Sequence, residues 1–547
     1  MNSKAQRCRV ARSLLVLLLC IGSTACMRDP FLDQPLTSEQ IQERLLAIEP
    51  LSFEQYKAVP KEKSIIKKPL QAPAHMEITL AQCRAWAMEN NLDLRVALVD
   101  PAIAQTNVTQ EEARFESVLF SNLGYSDTQT PTASDLDGSE TSGANGSLGV
   151  RIPTRTGGSV TVDFAANRFE TDNSFATLNP SFDSDMSISL SHELLRNAGL
   201  RVNTAPLQIA RLSAQSTYVR TKIEVIRTLA TVDRAYWLLY SAQRELEVRL
   251  SQHELAKAQL ERARRLVDQG SAAEVEIIRA ESGVADGLEA IIISENQLRL
   301  RQRDLKRLLN HPDLPINGPT QLQPLTPANP VEYDLPTDEL VDLAMDGRLE
   351  LLEIELQMAQ DALNIEVARN ATLPLAAFEY RYTRNGLGGN FGSAFEQGFN
   401  DNFDAYAVNL RIEVPLGNQA ARAALDRALL TRLQRSASAN QREAQVRQEV
   451  LDAADSLQAA WQRVLASRQS AILAARVFAA EQRQFEQDLN TSTDVQDAQT
   501  RFADAQSNEI RALVDYQIAQ IDLAFATGTI LGSAQIRWAP IDQTQQE

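Results

Sequence analysis

Cysteine and histidine are scarce in this chain, with four of each in 547 residues. A zinc site gathers three or four such ligands, and here the histidines are spread along the whole sequence. His192-Glu193-Leu194-Leu195-Arg196 and His253-Glu254-Leu255-Ala256-Lys257 open like zincin helices, but neither supplies the second His. No phosphate loop or nucleophile elbow is present either, so neither enzyme, metal nor cofactor is expected. Asp135-Leu136-Asp137-Gly138 reads as a loose Ca²⁺ loop or simply a turn. Beyond the Lys-rich patch Lys61 to Lys68 no basic stripe appears. The net charge is -17, which excludes a phosphate-binding surface and hence nucleic acid. The acidic excess serves solubility or draws cations. Beyond the N-terminal segment no apolar run reaches 18 residues, so no transmembrane helix is expected and any membrane crossing must use strands. No long Pro/Gly/Ser linker divides the chain, and its length is read as reach.

Residues 1–26 read as an export signal, with Lys4, Arg7, Arg9 and Arg12 ahead of the apolar run Leu14 to Ile21. Cys8 and Cys20 lie within it, so with Cys26 and Cys83 left no internal disulfide framework is expected. Cys83, beside Trp86 on a helical face, reads as a small buried hydrophobe. The signal closes on Ser23-Thr24-Ala25-Cys26, which resembles the bacterial lipobox despite Ser23 where that pattern prefers Leu. The resemblance implies lipid attachment at Cys26 and, with Met27 rather than Asp following, an anchor in the outer membrane. Ordinary cleavage near Ala25 is the alternative.

What is plentiful is helix, and it is written twice. Gly270-Ser271-Ala272-Ala273-Glu274-Val275 and Asp488-Leu489-Asn490-Thr491-Ser492-Thr493 are short polar breaks, each between a long helical run and a shorter one. The runs span about 202 to 268, 274 to 309, 419 to 487 and 494 to 527. At 1.5 Å per residue the longer ones extend on the order of 100 Å. Val450, Ala454, Leu457, Trp461 and Val464 recur at coiled-coil spacing. Each half opens on medium helices, the first from Thr79 to a stop at Pro101, the second after Thr337-Asp338-Glu339.

Between the medium helices and the rods the period changes from 3.6 to 2. Phe378, Tyr380 and Tyr382 alternate with Glu379, Arg381 and Thr383; Tyr406, Val408, Leu410, Ile412 and Val414 alternate with Asn409, Arg411 and Glu413. In the first half Val160, Val162 and Phe164, then Met186, Ile188 and Leu190, do the same. Such strands suit a transmembrane β-barrel, or a soluble sandwich with one wet face. Two strands are expected in the second half and two to four in the first. One chain cannot close a barrel, since an open edge in lipid leaves backbone groups unpaired, so copies must share it. Thr128 to Asn145 and Gly386 to Asn402 read as exposed loops.

Taken together, the order of these elements resembles the TolC-type outer-membrane efflux proteins over roughly residues 77 to 530. The pieces that carry the resemblance are Ile78-Thr79-Leu80 through Asn90-Asn91-Leu92-Asp93-Leu94, Val414-Pro415-Leu416-Gly417, Glu276-Ile277-Ile278-Arg279-Ala280-Glu281, Asp494-Val495-Gln496-Asp497-Ala498-Gln499 and Asp515-Tyr516-Gln517-Ile518-Ala519. The implied organisation is a signal at 1–26, an extended strap at 27–76 with a short helix near Ser38 to Ile48, one repeat at 77–320, a second at 337–530 and a tail at 531–547. The implied fold is mostly α, with long antiparallel helical hairpins forming a periplasmic α-barrel beneath a shared β-barrel. The family forms a homotrimer that pools four strands per chain into twelve. It acts as the outer-membrane channel of tripartite efflux or type I secretion, docking to a periplasmic adaptor protein and an inner-membrane transporter. Docking falls to the helix turns, here Gly270, Ser271, Ala272, Asp488, Thr491 and Ser492. The periplasmic gate falls to Asp494 and Asp497; the plainer reading is two acidic residues favoured by the helix dipole. Glu193 stands where the family often has Pro, Asp488 where it usually has Gly, and the hairpin at 146–168 is extra, expected to extend the extracellular cap, with an enlarged barrel as the alternative. The rival to a conduit is a periplasmic coiled-coil scaffold or adhesion protein without a channel.

Overall fold

The computed structural model describes residues 75–132, 138–270, 273–401, 403–487 and 489–533, all within one unit, Pro73–Glu547. The expected export signal, Cys26 and all of the expected 27–76 strap but His75 and Met76 lie outside them, as do Asp135 to Asp137 and most of the 531–547 tail. Strand β1 (His75–Ile78) leads to α1 (Leu80–Asn90), α2 (Leu92–Ala97) and α3 (Asp100–Glu112). Thr79 and Gln82 cap α1 reciprocally, and Asn91 caps α2 while donating to the Leu308 carbonyl. Pro101 does not stop the helical region as expected; it sits in the first turn of α3, where its missing N–H costs nothing.

Four strands follow, β2 (Val118–Gln129), β3 (Glu140–Thr154), β4 (Gly158–Thr171) and β5 (Ser181–Glu193), then the rods α4 (Leu200–Asp268) and α5 (Val275–Leu309). The second half runs β6 (Gln321–Pro324), α6 (Thr337–Gly347), α7 (Leu349–Ala371), β7 (Leu375–Gly388), α8 (Phe391–Asn400), β8 (Asp404–Glu413), the rods α9 (Gln419–Glu486) and α10 (Ser492–Ala526), and the short α11 (Ile530–Ser533). The two halves are stitched by parallel pairing of β1 with β6. Around this stitch lies the core of Ile78, Tyr236, Trp237, Leu305, Leu309 and Leu322. Tyr236 donates to the Ile78 carbonyl and accepts from the Thr326 amide, so its buried hydroxyl is satisfied from both halves. Cys83 is buried there, as expected, and burial pushes its thiol up to about 12. Beside it Arg84 grips Asp233 with two bonds of 2.7 and 2.8 Å.

The strands β2-β3-β4-β5-β7-β8 form one six-stranded antiparallel sheet. Six strands in one chain are the upper end of the count read from the residues, and exceed the four per chain that the resemblance implies. The hairpin at 146–168 does not extend a cap: β3 and β4 pair along their whole length inside this sheet. Their turn lies at the end where the rods begin, since Gly199 at the head of α4 donates to the Thr156 carbonyl. The departure at Glu193 belongs to the same change. Its N–H donates to the carbonyl of Gly157 in that turn, a bond Pro has no hydrogen to make. The supposed loops are also corrected: Glu140 to Asn145 belong to β3, and Gly386 to Asn402 hold the end of β7 and all of α8.

Register separates the faces. Phe164 pairs with Met186 and Met186 with Arg384; Val162 pairs with Ile188, Ile188 with Tyr382 and Tyr382 with Tyr406. One face therefore carries Leu148, Val150, Val162, Phe164, Ile188, Leu190, Tyr380, Tyr382, Val408 and Leu410. The other carries Asn122, Ser147, Asp163, Ser187, Arg381, Thr383 and Asn409, with Ser187 donating to Asp163 at 2.7 Å. Every residue of the edge strand β8 is exposed.

Candidate gate and docking tips

The rods pair as hairpins, α4 with α5 and α9 with α10, and α10 also lies along α4. Near the stitch these contacts are apolar: Ala454, Leu457 and Val464 of α9 meet Ala512, Tyr516, Ala519 and Leu523 of α10. Of the heptad-spaced residues, Val450, Ala454, Leu457 and Val464 are buried, and the Trp461 ring lies 5.8 Å from that of Tyr516. Away from the stitch, α10 turns its small and polar residues Ala498, Gln499, Ala503 and Ser507 inward. There α10 is held to α4 by polar bonds. Gln499 donates to the Gln252 carbonyl at 2.9 Å, Ser507 donates to Glu245 at 3.0 Å, and Arg249 pairs with Glu245 at 2.8 Å and Asp504 at 3.4 Å. Such bonds hold position and yield to water or a competing partner far more readily than an interdigitated apolar seam.

The turns sit at the far end. Gly270 takes φ of +75°, the left-handed conformation that lets α4 end abruptly at no steric cost. At the other turn Thr491 caps α10: its hydroxyl accepts from the Asp494 amide while the Asp494 carboxylate accepts from the Thr491 amide at 3.0 Å and its hydroxyl at 2.7 Å. These bonds hold the Asp494 carboxyl below the usual aspartate range. Ser492 donates to Glu276 in the first turn of α5, and Glu276 also pairs with Arg279. The two turns are therefore neighbours, and a cleft of about 210 Å³ between them is lined by Ala263, Leu266, Glu276, Ala280, Phe485 and Thr491, among others. Arg262 of α4 stacks on Phe485 of α9, 4.7 Å from the ring centre. Ser271, Ala272 and Asp488 lie outside the described residues.

Asp494 and Asp497 are both exposed, and their i,i+3 spacing puts them on one face of α10. Asp494 is engaged in its cap; among the described residues Asp497 has no hydrogen-bond or ion-pair partner. Sequence reasoning missed the polar latch centred on Arg249. Its members are dispersed over α4 and α10, at residues 245 to 252 and 499 to 511, and neither cluster alone departs from an ordinary solvated helix face. Among the described residues no group of His, Cys, Asp and Glu could hold a metal ion, and no helix is long and apolar enough to cross a membrane.

Residues 340–529 match the family described as outer membrane efflux protein. The search of curated proteins finds no match. Among solved structures, CusC, whose structures concern folding and transmembrane channel formation, is 15% identical with a TM-score of 0.61, covering 86% of this chain and 96% of its own. The VceC outer membrane protein of Vibrio cholerae is 14% identical with a TM-score of 0.60, covering 82% and 96%. The CmeC outer membrane channel of Campylobacter jejuni is 13% identical with a TM-score of 0.62, covering 85% and 88%. These likenesses establish a shared fold along most of the chain. Residues 340–529 thus match the outer membrane efflux protein family, and the chain as a whole shares the fold of these outer-membrane channels.

Proposed function

We propose that three copies of this chain build a conduit through the outer membrane and periplasm, as the outer-membrane component of a tripartite efflux or type I secretion system. One observation carries the reading: a six-stranded sheet that is apolar on one face, polar on the other and open at both edges. In lipid each unpaired edge would strand backbone donors and acceptors at several kcal/mol per group. Six antiparallel strands also leave the edges β2 and β8 running in opposite directions, so β8 of one copy meets β2 of the next in antiparallel register. Rotation by thirds of a turn then closes the wall. With six strands from each of three copies the barrel has eighteen, wider than the twelve the family resemblance implies.

The rods continue that wall into the periplasm. Rods of 69 and 68 residues reach roughly 100 Å. At their far ends the neighbouring turns at Gly270 and at Thr491 and Ser492 offer the surface for a periplasmic adaptor protein and, through it, an inner-membrane transporter that supplies the energy. Just inside, Asp494 and Asp497 of three copies gather carboxylates into a cation-attracting constriction. Movement of the polar-latched end of α10 away from α4 opens it. Lipid at Cys26 holds the N-terminus to the outer membrane, and incorporation of labelled palmitate tests that anchor. The conduit itself is tested in planar lipid bilayers: purified protein should add discrete, cation-favouring conductance steps. A folded protein that inserts no conductance would favour the scaffold reading instead.

A further inference from the structure

One helix lies where the proposed conduit leaves no obvious place for it. Helix α8 does not project above the strands; it folds back against β7 and β5, on the apolar face. The contact is close. A Cβ on Gly386 of β7 would fall 2.0 Å from the Ala394 carbonyl, so the glycine is what lets the helix backbone sit directly on the strand. Asn390 and Ser393 cap its start reciprocally, and the Gln397 side chain accepts from the Leu387 amide, which pins the helix along the strand.

The helix is sorted by face. Ala394 and Gly398 are buried against the sheet. Phe391, Phe395 and Phe399, spaced by four, form a stripe along one flank, where the first two make edge contacts with Phe164 of β4. These rings stay 45, 42 and 50% exposed, though a helix of a water-soluble surface would bury or replace them. Glu396 and Asn400 take the side away from both. The helix also sits at a boundary along the strands. Below it the apolar face runs through Val162, Ile188, Tyr382 and Val408; level with it stand Phe164 and the ion pair Arg384–Asp404, and above it Arg168–Glu170.

Between helix and sheet is a cleft of about 340 Å³, lined by Phe164, Met186, Ile188, Tyr382, Arg384 and Phe399. Ser184 and Arg384 give it a polar end, and the rest of its wall is apolar, a lining that suits an acyl chain better than a cluster of waters. A neighbouring copy joined at β2 or β8 would meet the sheet edge-on, whereas the cleft lies over β4, β5 and β7, inside the sheet.

We propose that α8 is a membrane-surface helix seated at the outer boundary of the hydrocarbon layer, and that an acyl chain of the surrounding lipid fills the cleft beneath it. The inference rests on the lipid-facing reading of the apolar sheet face and extends it: the cleft is continuous with that face, and phenylalanines at headgroup depth are what such a helix presents to acyl chains. The helix then acts as a collar that fixes the depth of the barrel.

Quenching by phospholipid brominated on its acyl chains tests both parts. Phe395→Trp, Phe399→Trp, Tyr382→Trp, Val408→Trp and Asn409→Trp are made in the full chain, checked for assembly, and reconstituted; the emission of the four native tryptophans is subtracted using the parent protein. The proposal expects the emission added at 395, 399, 382 and 408 to fall at least twofold in brominated lipid, and that at 409, on the polar face, to be spared. Quenching at 408 with none at 395 and 399 would overturn the membrane-surface helix. Quenching at 395 with none at 382 would overturn the acyl chain in the cleft. Absence of quenching at 408 would instead overturn the lipid-facing reading on which both depend.

Discussion

At the scale of residues, polar side chains in this protein act in pairs whose members come from distant parts of the chain. Asp233 is only 2% exposed and Arg84 20%, and the two bonds between them fasten α1 to α4. Burial pushes the Asp233 carboxyl up while Arg84 pulls it down; the forked, two-bond geometry is that of an ionised pair. Asp233→Ala would strand the arginine, so unfolding in denaturant should show a loss of about 3 kcal/mol. Asp494 obeys a different logic. Its carboxyl is held low by the Thr491 amide and hydroxyl, so its contribution to the cap is complete above the usual aspartate value of about 3.9 and disappears as pH falls through the lowered one. Amide exchange in the first turn of α10 should accordingly stay slow at pH 5 and accelerate only below about pH 3.9. The same carboxylate is assigned to the gate. Replacing Asp494 and Asp497 together by Ala should leave assembly intact and abolish cation block of single-channel current; unchanged block would end that assignment.

At the scale of elements, the α10 rod is two helices in mechanical character. Its C-terminal part carries Tyr516, Ala519 and Leu523 into an apolar seam with α9, while its N-terminal part rests on the latch of Glu245, Arg249, Asp504 and Ser507. Arg249→Ala should therefore loosen the gate end without unfolding the rod, read as a several-fold rise in open-state conductance with unchanged thermal stability. Thr491→Ala, which removes the cap of the same helix, should cost about 1 kcal/mol instead. Long elements with a single period were legible in sequence: the four rods begin and end within two residues of the expected positions, and the alternation of β7 and β8 set their faces correctly. Strand β2 was not, because Ser121 interrupts its apolar face and Val118 and Phe120 stand on the polar one. Helix α8 was hidden by two glycines in ten residues, a composition that reads as loop; of these Gly398 packs on the Ser184 carbonyl of β5, while Gly392 is exposed. Asp494 and Asp497, the aspartates proposed for the gate, could be placed at the start of α10 but not interpreted, since an N-terminal helix turn favours Asp for its own sake.

At the scale of the molecule, one change in connectivity accounts for several local departures. Inserting the β3–β4 hairpin inside the sheet adds two strands, places a turn beside the head of α4, and claims the Glu193 N–H that a proline would lack. It also preserves the antiparallel alternation on which edge-to-edge closure depends, because strands were added in a pair. The central claim is that this wall is incomplete in one chain and is completed by copies of itself in lipid. Native mass spectrometry of the detergent-extracted, unheated protein tests it most directly. The account predicts a species of three chains that dissociates only on heating and precipitates when detergent is removed. A folded single chain that stays in solution in plain buffer would contradict it.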